Sequence, residues 1–283
     1  MIPSIILVAE TGSDIPRHLA QCYGIHLIPM HVAFGDVTRA DNTFSPEEIC
    51  TYYDRTGTVP RTRAATLEDF EAVFQAIHAQ HPKAHILYLA YSAAASSSFQ
   101  WGQMAAKGKD YITCLDTQQV SAGQCLVVLQ VAKALQDHPE WTPAQAVPAA
   151  KEIIQRTRMC FVIRSLGFLR GGGRMNNAAV LCSNLLRIHP CIEMDHGHLR
   201  SARKYQGSME RVIPRMIREY AQRFQLDRRL LWLGVTPRLS PSARRAAEDT
   251  AWQLGFQQIH WLQTGGVITS HIGPGSLCMA GMV

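Results

Sequence analysis

Residues 86–98 read Ile-Leu-Tyr-Leu-Ala-Tyr-Ser-Ala-Ala-Ala-Ser-Ser-Ser. A short apolar run passes directly into small residues and hydroxyls, and a helical pattern follows. The stretch predicts a buried strand over Ile86–Ser92 that delivers the chain to the start of a helix over 97–107. Backbone N–H groups at a helix start are unpaired and the helix dipole is positive there. Ser92, Ser96, Ser97 and Ser98 therefore read as a cradle for a carboxylate or phosphate, with Ala93 to Ala95 small enough to let a ligand approach the backbone. The plain alternative is that one serine is the N-cap and the others face solvent.

Outward from this junction, the first half alternates strands with helices. Ile5–Ala9, Leu27–Phe34, Ile86–Ser92 and Tyr111–Asp116 are short continuous apolar runs of the kind a parallel sheet buries on both faces. Ser45 ahead of Pro46, Glu47 and Glu48 marks one helix start, and Thr66 with Asp69 has the spacing of a capping box. This β-α-β-α order predicts an open parallel α/β sheet domain.

Helices near 121–137 and 143–158 lead to a second half that reads as α+β. It holds a strand at Cys160–Ile163, a glycine loop and a helix near 177–187. A hairpin pairs Pro190–Asp195 with His198–Arg203 through a turn at His196-Gly197. A helix (Ser208–Phe224), a strand (Leu230–Val235), a helix (Ser240–Gln253) and two strands (Ile259–Leu262 and Val267–His271) complete it. The expected fold class is α/β in two domains, an N-terminal domain at 1–158 and a C-terminal α+β domain at 159–283, with the ligand cleft at their interface.

Composition narrows the function classes. The chain has 283 residues, 47% of them hydrophobic, enough for two packed cores. Ile5 to Ala9 is too short to span a membrane and lacks the flanks of a secretory signal, so no membrane span and a cytoplasmic location are expected. Eight cysteines form no CxxC pair and sit mostly among apolar neighbours, which indicates neither a disulfide framework nor a zinc site. His196-Gly197-His198 lacks an evident third ligand, so no metal and no cofactor are expected. The net charge of +6 raises the question of nucleic acid. Yet Arg211, Arg215 and Arg218 alternate with Val212, Met216 and Ile217, as on the wet face of an amphipathic helix, and no nucleic-acid partner is expected.

Three further segments join a flexible or small-residue turn to a donor side chain. Pro60-Arg61-Thr62-Arg63 falls in a long irregular connection, Arg170-Gly-Gly-Gly-Arg174 precedes a helix, and His271-Ile-Gly273-Pro-Gly275 follows a strand. Arg174 offers a planar fork to an oxyanion. Each segment also has a purely structural reading, as a turn or a packed histidine.

Together these segments resemble the DegV family of bacterial fatty-acid-binding proteins over essentially the full length. Tyr23-Gly24-Ile25, Ile28-Pro29-Met30, Val32, Phe34-Gly35 and Asp41 resemble the family's YGI..IPL.V.FG....D stretch. Pro60 and Thr62 match the start of its P-x-T-S-Q-P-S loop, and Ser92, Ser96 and Gln100 its I-S-S-x-L-S-G-T-Y-Q segment. Asp116, Ser121 and Gly123 resemble its I-D-S....S-x-G piece, Gly172-Gly173-Arg174 its G-G-R-I, and His271-x-Gly273-Pro274-Gly275 its H-x-G-P-G.

The resemblance implies a lipid-binding carrier, not an enzyme, that holds one long-chain fatty acid with its tail in an apolar tunnel. It implies Thr62, Ser92, Ser96, Arg174 and His271 as ligand-binding residues around the carboxylate. It also implies, for some members, presentation of the acid to a fatty acid kinase subunit, dihydroxyacetone-kinase-like, which makes an acyl phosphate for phospholipid synthesis. The chain departs from the pattern at Ala9-Glu10-Thr11 for T-D-S, at Arg63-Ala64-Ala65-Thr66 for S-Q-P-S and at Ala93 for the second serine of I-S-S. The competing reading is a hydrolase or acyltransferase using a serine of the 92–98 cluster with His271. It lacks a GxSxG elbow and an acid placed to orient the histidine.

Overall fold

The computed structural model describes residues 4–172 and 188–283. From the N-terminus the chain runs β1 (Ile5–Glu10), a 3-10 turn (Thr11–Ser13), α1 (Arg17–Cys22), β2 (His26–Ile28), β3 (His31–Phe34), β4 (Val37–Ala40), α2 (Glu47–Thr56), β5 (Arg61–Arg63) and α3 (Leu67–Gln80). Then come β6 (His85–Ala90), α4 (Ser98–Ala106), β7 (Ile112–Asp116), α5 (Ser121–Asp137), α6 (Pro143–Arg156), β8 (Thr157–Val162) and α7 (Leu166–Gly172). The remainder is β9 (Ile188–Asp195), β10 (His198–Gln206), α8 (Met209–Arg223), β11 (Leu231–Val235), α9 (Pro241–Gln253), β12 (Ile259–Gln263), α10 (Gly266–Ile272) and β13 (Leu277–Met282).

These strands make three sheets. A parallel sheet has the order β2-β1-β6-β7, a small antiparallel sheet the order β4-β3-β5, and a mostly antiparallel sheet the order β10-β9-β8-β13-β11-β12. Alternation along each strand sorts side chains onto layers. On β1, Ile6 and Val8 join a core beneath α3 and α4, whereas Ile5, Leu7 and Ala9 face the central core. On β8, Met159 and Phe161 face that same central core, and Cys160 and Val162 face the one covered by α8 and α9. The protein is therefore layered: α3 and α4, parallel sheet, α5, mixed sheet, α8 and α9.

Helix α5 is apolar on nearly every side, as a helix between two sheets must be. A β-carbon on Gly123 would come within 2.9 Å of Met159 Cβ, so the glycine lets α5 lie close to β8. Helix α8 behaves as its pattern predicts, burying Val212, Met216 and Ile217 and exposing Arg211, Arg215 and Arg218. The Thr66–Asp69 capping box forms, and both His196 and Gly197 take the positive φ of a tight hairpin turn. No helix among the described residues is long and apolar enough to cross a membrane.

Four local expectations change. The run at 27–34 is two strands in two sheets, because Pro29 has no N–H for a ladder and the chain turns there. Arg61–Arg63 is not irregular but pairs with β3 as an edge strand. Val267–His271 is not a strand but lies in helix α10, and the strand that follows it is β13, central in the mixed sheet. The segment 166–172, expected to open into a glycine loop, is helix α7. Arg174 and the helix expected near 177–187 lie outside the described residues.

Candidate functional site

The narrow cavity between α5, the mixed sheet, β5 and α10 is built from both halves of the chain. Counting its open mouth, it holds about 720 Å³ of empty space. Its walls are apolar over most of their area, supplied by residues such as Met30, Tyr91, Val120, Phe161 and Ile268. Such a lining suits a hydrocarbon chain.

Polar groups gather where β5, the loop after β6 and α10 meet. Thr62 Oγ1 and His271 Nε2 lie 2.9 Å apart, joining positions 209 residues distant in the chain. Ser96 and Arg63 also line the cavity. Ser96 Oγ sits 3.0 Å from Ser98 Oγ and accepts the Ser98 N–H at 3.2 Å, while Ser98 Oγ accepts the Ala65 N–H. A hydroxyl and an imidazole thus meet on the wall of a mostly apolar cavity whose lining also includes Ser96 and Arg63, groups of the kind that satisfy a carboxylate.

Ser92 is placed differently. It is fully buried, outside the cavity lining, and donates its hydroxyl to Gly197 O at 2.6 Å, tying the β9–β10 turn to the loop after β6. Nor is this turn an open cradle of N–H groups. The N–H groups of Ser92, Ala95 and Ser96 bond to backbone carbonyls, and that of Ala93 bonds to Asp116 Oδ1. Of the five expected ligand-binding residues, the structure brings Thr62, Ser96 and His271 to one cavity and puts Ser92 behind it.

Helix α10 is held by two acids from the other half. Asp14 Oδ1 accepts the Gly265 N–H and Asp41 Oδ1 the Gly266 N–H, both at 2.7 Å. Asp14 Oδ2 also accepts the hydroxyl of Ser121, which lines the cavity. Burial pushes the Asp14 carboxyl well above its usual range and raises that of Asp41 too. A β-carbon on Gly266 would lie 2.4 Å from Phe44 Cζ, so only glycine allows this close approach. Asp14 escaped the reading of the sequence, and Asp41 entered it only as a residue of the family pattern, because nothing in their spacing points to residue 265. The cavity-lining methionines and aromatics escaped it because they look like ordinary core.

A profile of the family described as "uncharacterised protein, DegV family" matches residues 4–281. A "fatty acid-binding protein" of Thermotoga maritima is 23% identical over 281 residues, covering 96% of this chain and 95% of the relative. Among solved structures, a DegV family protein from Thermus thermophilus described for fatty acid binding superposes with a TM-score of 0.88 at 24% identity, covering 99% of this chain and all of that one. The fatty acid kinase B3 protein of Streptococcus pneumoniae, loaded with linoleic acid, superposes with a TM-score of 0.84 at 15% identity, covering 99% of each chain.

Proposed function

The chain belongs to the DegV family, and from this premise we propose that it carries one long-chain fatty acid, tail in the apolar cavity and carboxylate at Thr62, Ser96 and His271. The observation that supports this most is the Thr62–His271 contact at the polar end of an otherwise apolar cavity. Arg63 on the same lining supplies positive charge where the family pattern has a serine. The division at 158, with the ligand between an N-terminal and a C-terminal domain, is part of the same reading, as is a cytoplasmic location.

Energetics favour a carrier. Burying roughly a dozen methylenes at ~0.8 kcal/mol each is worth on the order of 10 kcal/mol, so the head group has only to be satisfied. A ligand held this way leaves slowly, which favours collection by a protein partner over free diffusion. A kinase that phosphorylates the carboxylate is the partner this chemistry fits, and the likeness to the Streptococcus pneumoniae fatty acid kinase B3 protein supports it.

The test is mass spectrometry of the purified protein after denaturation. About one fatty acid per chain is expected. Protein that carries none and takes up none when fatty acid is added overturns the reading.

A further inference from the structure

Gly12 lies buried in the 3-10 turn after β1. Its backbone is not in the left-handed region that many of the chain's glycines occupy, so conformational freedom does not account for it. The space above it does. A β-carbon on Gly12 would lie 2.7 Å from Met30 Sδ, closer than unbonded heavy atoms pack, and a tight 3.1 and 3.2 Å from Tyr91 Cε2 and Cδ2. Met30 and Tyr91 both line the cavity. Their side chains rest on the bare Cα of Gly12.

The same turn pins both backbones. Thr11 Oγ1 accepts the Met30 N–H at 3.0 Å, and Glu10 Oε2 accepts the Tyr91 N–H at 2.9 Å. A methyl added at residue 12 cannot be absorbed by sliding either strand end away. The unbranched Met30 side chain and the Tyr91 ring must give instead, and the space beside them is the cavity.

We propose that Gly12 is a specificity-determining residue: its missing side chain sets the width of the cavity at Met30 and Tyr91, so that a kinked or branched acyl chain fits there as well as a straight one. The assignment rests on the carrier reading. In so narrow a cavity, sideways room decides which chains enter, and a cis double bond needs more of it than an extended saturated chain of equal length.

The experiment loads delipidated protein from an equimolar mixture of oleic and stearic acids and measures the bound acids after denaturation. In Gly12→Ala the oleate-to-stearate ratio falls by about fivefold or more, the lower end of what overpacking costs. It rises again, to the wild-type value or above, in Gly12→Ala/Met30→Ala, which removes the nearest atom that the new methyl strikes. Met30→Phe thickens the same wall with residue 12 unchanged and lowers the ratio too, so the result does not hang on the stability of Gly12→Ala. An unchanged ratio in either single variant that still takes up stearate overturns the assignment while the carrier reading stands. Wild-type protein that takes up neither acid overturns the carrier reading and the assignment with it.

Discussion

Thr62 Oγ1 lies 2.9 Å from His271 Nε2, so an edge strand of the small sheet and a late helix share one polar contact at the cavity's end. In the carrier reading both side chains turn toward the carboxylate. A hydrogen bond to a charged group is worth about 1.5–3 kcal/mol, so Thr62→Ala weakens fatty acid binding by about tenfold or more, and Thr62→Ser restores most of it. Displacement of a fluorescent fatty acid measures the change. Unchanged affinity in Thr62→Ala moves the head group elsewhere.

The two serines separate stability from binding. Ser92→Ala leaves the buried turn at Gly197 without its tie and lowers stability by about 1 kcal/mol, with little change in fatty acid affinity. Ser96→Ala, on the cavity lining, lowers fatty acid affinity, besides the stability lost with the Ser98 N–H that its hydroxyl accepts. Denaturant unfolding and ligand displacement on the same samples check both.

Helix α10 carries His271, and its start tolerates no side chain. Gly266→Ala drives a methyl into Phe44 and costs about 1–3 kcal/mol. Because the helix also forms a cavity wall, fatty acid retention falls together with the melting temperature. A variant that melts lower but holds ligand as tightly as wild type shows that α10 moves as a rigid unit.

Asp14 makes stability depend on pH. Its carboxyl is raised well above the ordinary value of 3.8 by burial, so the folded chain holds a proton that the unfolded chain releases. Stability from this group is full below the ordinary value and is lost as pH rises through the raised one. Asp14→Asn keeps an acceptor for Gly265 N–H and cannot ionise, so its melting temperature declines less over that rise. Parallel pH profiles of the two proteins reveal the difference.

Much of the fold was legible in particular residues. Ile5 to Ala9 and Ile86 to Leu89 are apolar at every position, as a strand covered on both faces is, and they lie in such strands, with side chains in the cores on both sides of the sheet. Helix α8 showed its wet and dry faces through the spacing of its arginines, and Thr66 with Asp69 marked the start of α3. Thr62, Ser96 and His271 were legible as separate signals, each beside a turn or a helix start. That they meet was carried by family resemblance, since nothing local links residue 62 to residue 271.

What the sequence determined by itself was the alternation of strands and helices and the sorting of side chains between layers, because both depend on periodicity within a few residues. The tertiary structure decided what periodicity leaves open. The short buried segment at 267–271 fits a strand as well as a helix. It is a helix here, its first N–H groups accepted by Asp14 and Asp41, 251 and 225 residues away from their partners. The hydroxyls at 92–98 were likewise divided by packing. Ser92 went to the hairpin turn and Ser96 to the cavity, because the chain brings Gly197 over the first and leaves the second facing the apolar cavity.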